Sequence, residues 1–177
     1  IQIGTGDGIG FLALCQAVDK LSLSAPCIGV NPVSDTPSLP EPLAEQHRTY
    51  YDEFSFIIQE DPSSALREGG IDLLVLHAEL TDDLIMALRA HWQARLSERA
   101  VVVVCNPGRI ARGQSAREYL ESLGAACPSV RFQHAEGDIE AYLVGKDQPE
   151  RLQKLAGLDI GTPAYMAARQ VFARLGQ

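Results

Sequence analysis

The sequence predicts an α/β domain: a mixed, mostly parallel sheet with helices on both faces. Three observations carry this. Short apolar runs of strand length alternate with segments whose apolar residues recur every three or four positions, as in strands joined by helical crossovers. Two runs, residues 71–76 and 100–104, are nearly continuous in apolar residues, as a central parallel strand buried on both faces requires. The last two runs, residues 130–134 and 139–144, are separated only by Ala135-Glu136-Gly137-Asp138. That is too short for a crossover, so they form a hairpin containing the one antiparallel strand, while the first five strands run parallel.

Taken in order, Ile1-Gln2-Ile3 reads as the end of a buried strand, and Gly4-Thr5-Gly6-Asp7-Gly8-Ile9-Gly10 follows at once. A helix starts there, with Phe11, Leu12, Cys15, Val18 and Leu21 on one buried face, and Pro26 closes the connection. Residues 27–30 form a short second strand. From Asn31-Pro32 to Pro42 the chain is rich in Pro, Ser and Asp, the composition of a loop. Residues 43–51 fit a short helix, and 54–58 (Phe-Ser-Phe-Ile-Ile) a third strand. Asp61-Pro62 places a capping residue before a helix-starting proline, and Gly69-Gly70 ends that helix after one or two turns. After the fourth strand, Thr81-Asp82-Asp83 caps a long helix whose buried stripe is Leu84, Ile85, Leu88, Trp92 and Leu96. Asn106-Pro107-Gly108 breaks the fifth strand sharply, and a helix follows to about Ala126. Thr162-Pro163 caps a last amphipathic helix carrying Met166, Val171, Phe172 and Leu175.

Composition bounds the function. Among 177 residues, 15 Lys plus Arg stand against 23 Asp plus Glu, a net charge of −8, which argues against a nucleic-acid partner held by neutralised phosphates. No apolar run approaches the roughly 20 residues of a membrane helix, and no secretory signal opens the chain. The expected compartment is the cytoplasm. Cys15, Cys27, Cys105 and Cys127 show no C-x-x-C pair and read as reduced thiols. Because Ile1 rather than Met comes first, the sequence is expected to be a piece of a longer chain.

In an open α/β sheet, ligands bind beyond the carboxyl ends of the strands. The glycine loop after the first strand lets backbone approach a ligand at a helix start, or serves only a tight turn. Asn31 ends the second strand, where a ribose ligand would stand, or is a turn residue before Pro32. After the third strand come Glu60 and Asp61, one of which could reach a purine amino group, with Asp61 equally a helix cap. His77-Ala78-Glu79 and Cys105-Asn106 end the neighbouring fourth and fifth strands and could make an acid/base or metal site. The alternative is a locally hydrogen-bonded histidine beside a cysteine acting as a small apolar residue. His47, His91 and His134 have no partner spacing that suggests ligation.

The segment from Ile3 to Gly10, the Asp72-Leu-Leu-Val-Leu-His77 strand and the Ser97-Glu-Arg-Ala-Val-Val-Val-Val-Cys-Asn106 segment together resemble a class I S-adenosylmethionine-dependent methyltransferase. The nearest type is the O-methyltransferase-like domain found within large bacterial proteins that also carry glycosyltransferase modules. The resemblance covers Ile1 to about Gly145. It implies the Rossmann-like methyltransferase fold: seven strands, mostly parallel, the last antiparallel. The methyltransferase-like domain would occupy residues 1–147, and 148–177 would be a helical extension or linker to a further module.

The resemblance also implies S-adenosylmethionine as cofactor, with Gly4, Thr5, Gly6 and Gly8 around its methionine part, Asn31 at the ribose, and Glu60 or Asp61 near the base. A saccharide or other small hydroxylated molecule is the implied substrate. Three carboxylates of the family pattern are missing: Asn31 stands for the ribose-binding acid, His77 for an aspartate, and Cys105-Asn106 for a His-Asp pair. No metal is therefore expected, and cofactor binding is expected to be weak or lost. The favoured reading is a degenerate domain acting as a scaffold or interaction module with other domains of a larger polypeptide. The alternative is an active O-methyltransferase with His77 as base and Glu79 orienting it. An NAD-type Rossmann protein fits the last glycine spacing and the closing hairpin less well.

Overall fold

The computed structural model describes residues 1–31, 39–59, 70–133 and 137–175, the last five as backbone only. Strands β1 (Gln2–Ile3), β2 (Cys27–Asn31), β3 (Ser55–Gln59), β4 (Ile71–Leu76), β5 (Leu96–Cys105), β6 (Ser129–Phe132) and β7 (Ile139–Leu143) form one seven-stranded sheet in the order β3-β2-β1-β4-β5-β7-β6. The neighbours from β3 through β5 pair in parallel, and β7 lies antiparallel between β5 and β6. The hairpin expected from the short 135–138 connection is thus present, and β7 alone is reversed.

Helices α1 (Ile9–Lys20) and α2 (Glu41–Tyr50) follow β1 and β2, and α3 (Asp82–Ala87) follows β4. Helices α4 (Pro107–Ile110) and α5 (Gln114–Ala126) link β5 to β6, and α6 (Glu150–Ala156) and α7 (Pro163–Leu175) end the chain. Side chains alternate across a strand, so consecutive residues of β2 serve different cores. Ile28 joins the large cluster of Leu74, Leu76, Val102 and Val104 with Leu88, Trp92 and Leu123, whereas Cys27 joins a smaller one with Phe11, Leu12, Cys15 and Tyr51.

Several boundaries differ from expectation. Leu21 is 67% exposed, because α1 ends at Lys20 and Leu21 lies past its last turn. Helix α2 begins at Glu41, two residues earlier than read, with Pro42 in the first turn, where a missing N–H costs no helical bond. The stripe Leu84, Ile85, Leu88 and Trp92 is buried, but Leu96 opens β5 instead of ending the helix. Helix α3 loosens into a π-helical turn at Leu88–Trp92 and tightens into a 3₁₀ turn at Gln93–Arg95. Thr81 caps this helix as expected, its hydroxyl accepting from Leu84 N at 3.3 Å.

Strand β5 starts at Leu96, four residues before Ala100, where the apolar run begins. Ser97-Glu98-Arg99 hid this extension, which bulges against β4, since Ile71 pairs with Leu96 while Leu73 pairs with Val101. The helix expected up to Ala126 is two helices, broken where Gly113 adopts an extended conformation at the cap of α5. On α7, Met166 is 42% exposed, and the inward residue is its neighbour Tyr165, stacked on Phe132 at 5.7 Å. The Tyr165 hydroxyl also accepts from Gln133 N at 3.2 Å. The expected loop over 32–38, the short helix after Asp61-Pro62, His134 and the turn residues Ala135 and Glu136 lie outside the described residues, as do the side chains of Val171, Phe172 and Leu175.

Trp92 is fully buried, and its indole Nε1 has no hydrogen-bond partner among the described residues. Trp92→Ala should lower unfolding free energy by about 3–5 kcal/mol through the cavity it leaves. Trp92→Phe should lose clearly less, because it also removes the unpaired donor. Urea denaturation of the two variants checks the ranking.

Candidate functional site

The site is built where β1, β2 and β4 end. The Ile3 carbonyl accepts from both His77 N at 2.9 Å and Ala78 N at 3.0 Å, and Gly4 N donates to Val30 O at 2.8 Å. This draws the tip of β4 against the start of the glycine loop so closely that a Cβ on Gly4 would stand 2.5 Å from Ala78 N. Gly4 also has φ +80°, so glycine is required there on two counts. Thr5 is buried, and both its N–H and its hydroxyl donate to Asn31 Oδ1, at 2.8 and 3.0 Å. The loop turns at Gly6 and Gly8, both left-handed, and Gly8 caps α1.

A cleft of about 450 Å³ opens in front of the loop, with Gly4, Gly6, His77, Glu79, Arg109 and Arg112 on its wall. The His77 ring lies over Gly6, where a Cβ would stand 3.1 Å from Cε1. Asn106, in the left-handed region at φ 53°, sets the junction between β5 and α4 and also reaches the cleft. Its N–H donates to Asp138 O at 2.6 Å, and its side chain packs against Gly137, which leaves no room there for a Cβ.

The structure thus gathers Gly4, Gly6, His77 and Glu79 on one cleft. Thr5 and Asn31 stand behind the loop, and Asn31 is only 4% exposed. The space above Gly8 is filled by Leu39. Glu60 and Asp61 lie outside the described residues. His77 and Glu79 share the cleft, but among the described residues no hydrogen bond joins them. Cys105 is half-buried, and burial pushes its thiol pKa up. Among the described residues, no group of three or more His, Cys, Asp or Glu side chains gathers in a way that could hold a metal ion.

Arg109 and Arg112 were not singled out from the sequence, although they follow the tip of β5. Reading a single helix after Asn106-Pro107-Gly108, up to about Ala126, concealed that α4 ends at Ile110 and that the residues around its end line the cleft. Arg112 Nε donates to Arg109 O at 3.1 Å, which ties that turn.

No protein-family model matches the chain, and no curated protein matches it. Solved structures do. A Klebsiella pneumoniae protein assigned as an O-methyltransferase superposes with a TM-score of 0.57 at 13% identity, over 81% of this chain and 71% of that one. The Podospora anserina methyltransferase PaMTH1, bound to SAH, gives 0.56 at 14% identity, over 80% and 70% of the two chains. A Streptococcus pneumoniae protein assigned as a tRNA methyltransferase, in complex with S-adenosyl-L-methionine, gives 0.54 at 9% identity, over 98% and 79%. The chain has the class I methyltransferase fold. At these identities the likeness is one of fold, and the glycine loop occupies the end of β1 at the point where the sheet order reverses, the usual ligand position in such sheets.

Tested against the cofactor of that fold, the residues that would hold it are engaged within the chain. Gly4 and Gly6 line the cleft, but the space that their missing Cβ atoms leave is taken by Ala78 and by the His77 ring. At the end of β2, where the expected ribose ligand stands, Asn31 Oδ1 is engaged by Thr5, and Leu39 covers Gly8.

Asn31→Ala should destabilise the domain by about 2–3 kcal/mol, since two hydrogen bonds are lost and a buried amide is left unpaired. Asn31→Asp retains both acceptor bonds and should stay within about 1 kcal/mol of the parent near neutral pH. Chemical denaturation of both variants measures the difference.

Proposed function

We propose that this chain is a degenerate methyltransferase-fold domain, one that keeps the architecture and the glycine cradle but does not transfer methyl groups. Its role is that of a scaffold or interaction module within a larger, glycan-related bacterial polypeptide. The observation that carries this reading is the inward commitment of Asn31: its carbonyl oxygen holds Thr5, so among the described residues no side-chain acceptor at the end of β2 is turned toward a ribose. The tips of β4 and β5, at His77 and Cys105-Asn106, support the same reading, because no carboxylate stands at those positions to grip a cofactor or metal.

The interaction role draws on the opposite end of the sheet. There the edge strand β3 carries Phe56 at 47% exposure, beside Leu23 at 52%. Both line a shallow pocket with Val18 and Pro26, an apolar surface of the kind that partners cover. The division at residue 147 belongs to this proposal, with 148–177 as an extension anchored on the sheet through Tyr165 and through Gln148, whose Nε2 donates to Ala100 O at 2.8 Å.

The second reading, an active O-methyltransferase for a saccharide or other small hydroxylated substrate, is favoured by one observation. His77 lies over Gly6 at the cleft wall with Glu79 nearby, a place from which an imidazole could take a hydroxyl proton.

Calorimetric titration separates the two. S-adenosylmethionine and S-adenosylhomocysteine should each bind with a dissociation constant weaker than about 100 μM, or give no heat. The full-length parent, incubated with labelled S-adenosylmethionine and its glycan acceptor, should incorporate no methyl group. Tight binding together with incorporation that disappears in His77→Ala would establish the enzyme instead.

A further inference from the structure

Cys15 on α1 and Cys27 on β2 lie together in the small core of Phe11, Leu12 and Tyr51, and each acts on the other's thiol. Cys15 is fully buried, while Cys27 retains 8% of its surface and so gives a small molecule an approach. We propose that Cys15 and Cys27 are a redox-active dithiol that closes to a disulfide when the protein meets a peroxide, tying the middle of α1 to the start of β2.

The environment splits the pair into an attacking and a resolving thiol. A hydrogen bond from Cys15 draws Cys27 down to about 7 against the opposing effect of burial, whereas Cys15 is held well above the usual thiol range by the same bond and by burial. Thiolate, the reactive form, therefore accumulates on the more accessible sulfur. Cys105 and Cys127 differ: burial raises both, and neither belongs to this cluster.

The chemistry balances with hydrogen peroxide as oxidant. The Cys27 thiolate attacks one peroxide oxygen, an S–O bond forms, the O–O bond breaks, and the departing hydroxide leaves as water with a proton taken from solvent. Cys15 sulfur then attacks the Cys27 sulfenic acid, the S–S bond forms, and the S–O bond breaks. The Cys15 proton leaves with that hydroxyl as a second water, so two thiols are oxidised and one peroxide is reduced. The consequence is structural. The bridge joins the helix that Gly8 caps to the first residue of the strand that ends at Asn31, the two elements that carry the loop and its anchor.

The test treats the intact 177-residue chain with stoichiometric hydrogen peroxide, followed by acid quench, denaturing alkylation and peptide mass mapping. The expected result is loss of two alkylatable thiols and one Cys15–Cys27 cross-linked peptide, with both thiols restored by a dithiol reductant. In Cys15→Ala the same treatment should leave Cys27 as a sulfenic acid trapped by dimedone. Should that variant fail to fold, the wild-type map decides alone. Four alkylatable thiols after treatment, a bridge involving Cys105 or Cys127, or over-oxidised Cys27 beside a reactive Cys15 would overturn the proposal.

Discussion

The carbonyl of Ile3 accepts two amides from the tip of β4, and the missing Cβ of Gly4 lets that tip come within contact of the first strand. Strand β1 is only two residues long, yet it stands at the centre of the sheet and is bonded on both sides. Its brevity is tolerated because the chain on either side continues the bonding: Val75 N donates to Ile1 O, and Gly4 N donates to Val30 O. The positions of the glycine loop, His77 and Asn31 all follow from this junction. Their geometry is set by the sheet, so the cleft exists whether or not anything binds there.

The same junction explains how uncharged residues came to be accommodated at the strand tips. At 4% exposure Asn31 sits where an ionised carboxylate would have to be fully compensated, and a neutral amide meets the two Thr5 donors without that demand. Asn106 accepts the left-handed conformation that opens α4, a role asparagine fills more readily than most residues. In both positions the polar side chain or its backbone is engaged within the fold. A domain can keep such residues under selection for folding alone.

What could be read in the sequence was what depends on local pattern. The continuous valines of β5, the alternation of elements and the four-residue connection before β7 dictated the parallel sheet with its single reversed strand. Boundaries set by tertiary context were not legible. Ser97-Glu98-Arg99 are polar and still extend β5, because their backbone runs along the far end of β4 and toward Asp147, which accepts from Arg99 Nε at 3.0 Å. Leu96 kept the helical period only by coincidence, as the π-helical turn at Leu88–Trp92 had already changed the phase. At the site, glycine spacing announced the loop, and the strand-end rule found His77 and Glu79. The direction of the Asn31 side chain was hidden, because nothing in the sequence says whether a polar tip residue turns outward to a ligand or inward to Thr5. The proximity of Cys15 to Cys27 was hidden too, since their spacing along the chain spans a helix, a loop and the start of a strand.

One face of the central strands bears on how such a domain would work. Leu74, Leu76, Val102 and Val104 are covered by α3 and α5, whereas on the other face Leu73, Val103 and Cys105 are half-buried beside Leu14 and line a groove of about 460 Å³. Central parallel strands ordinarily have both faces covered. The groove meets the cleft at two residues, His77 and Asn106, which line both. The groove and the cleft thus share part of one wall. That shared wall follows from strand geometry, since His77 and Asn106 stand just beyond the ends of the paired strands β4 and β5.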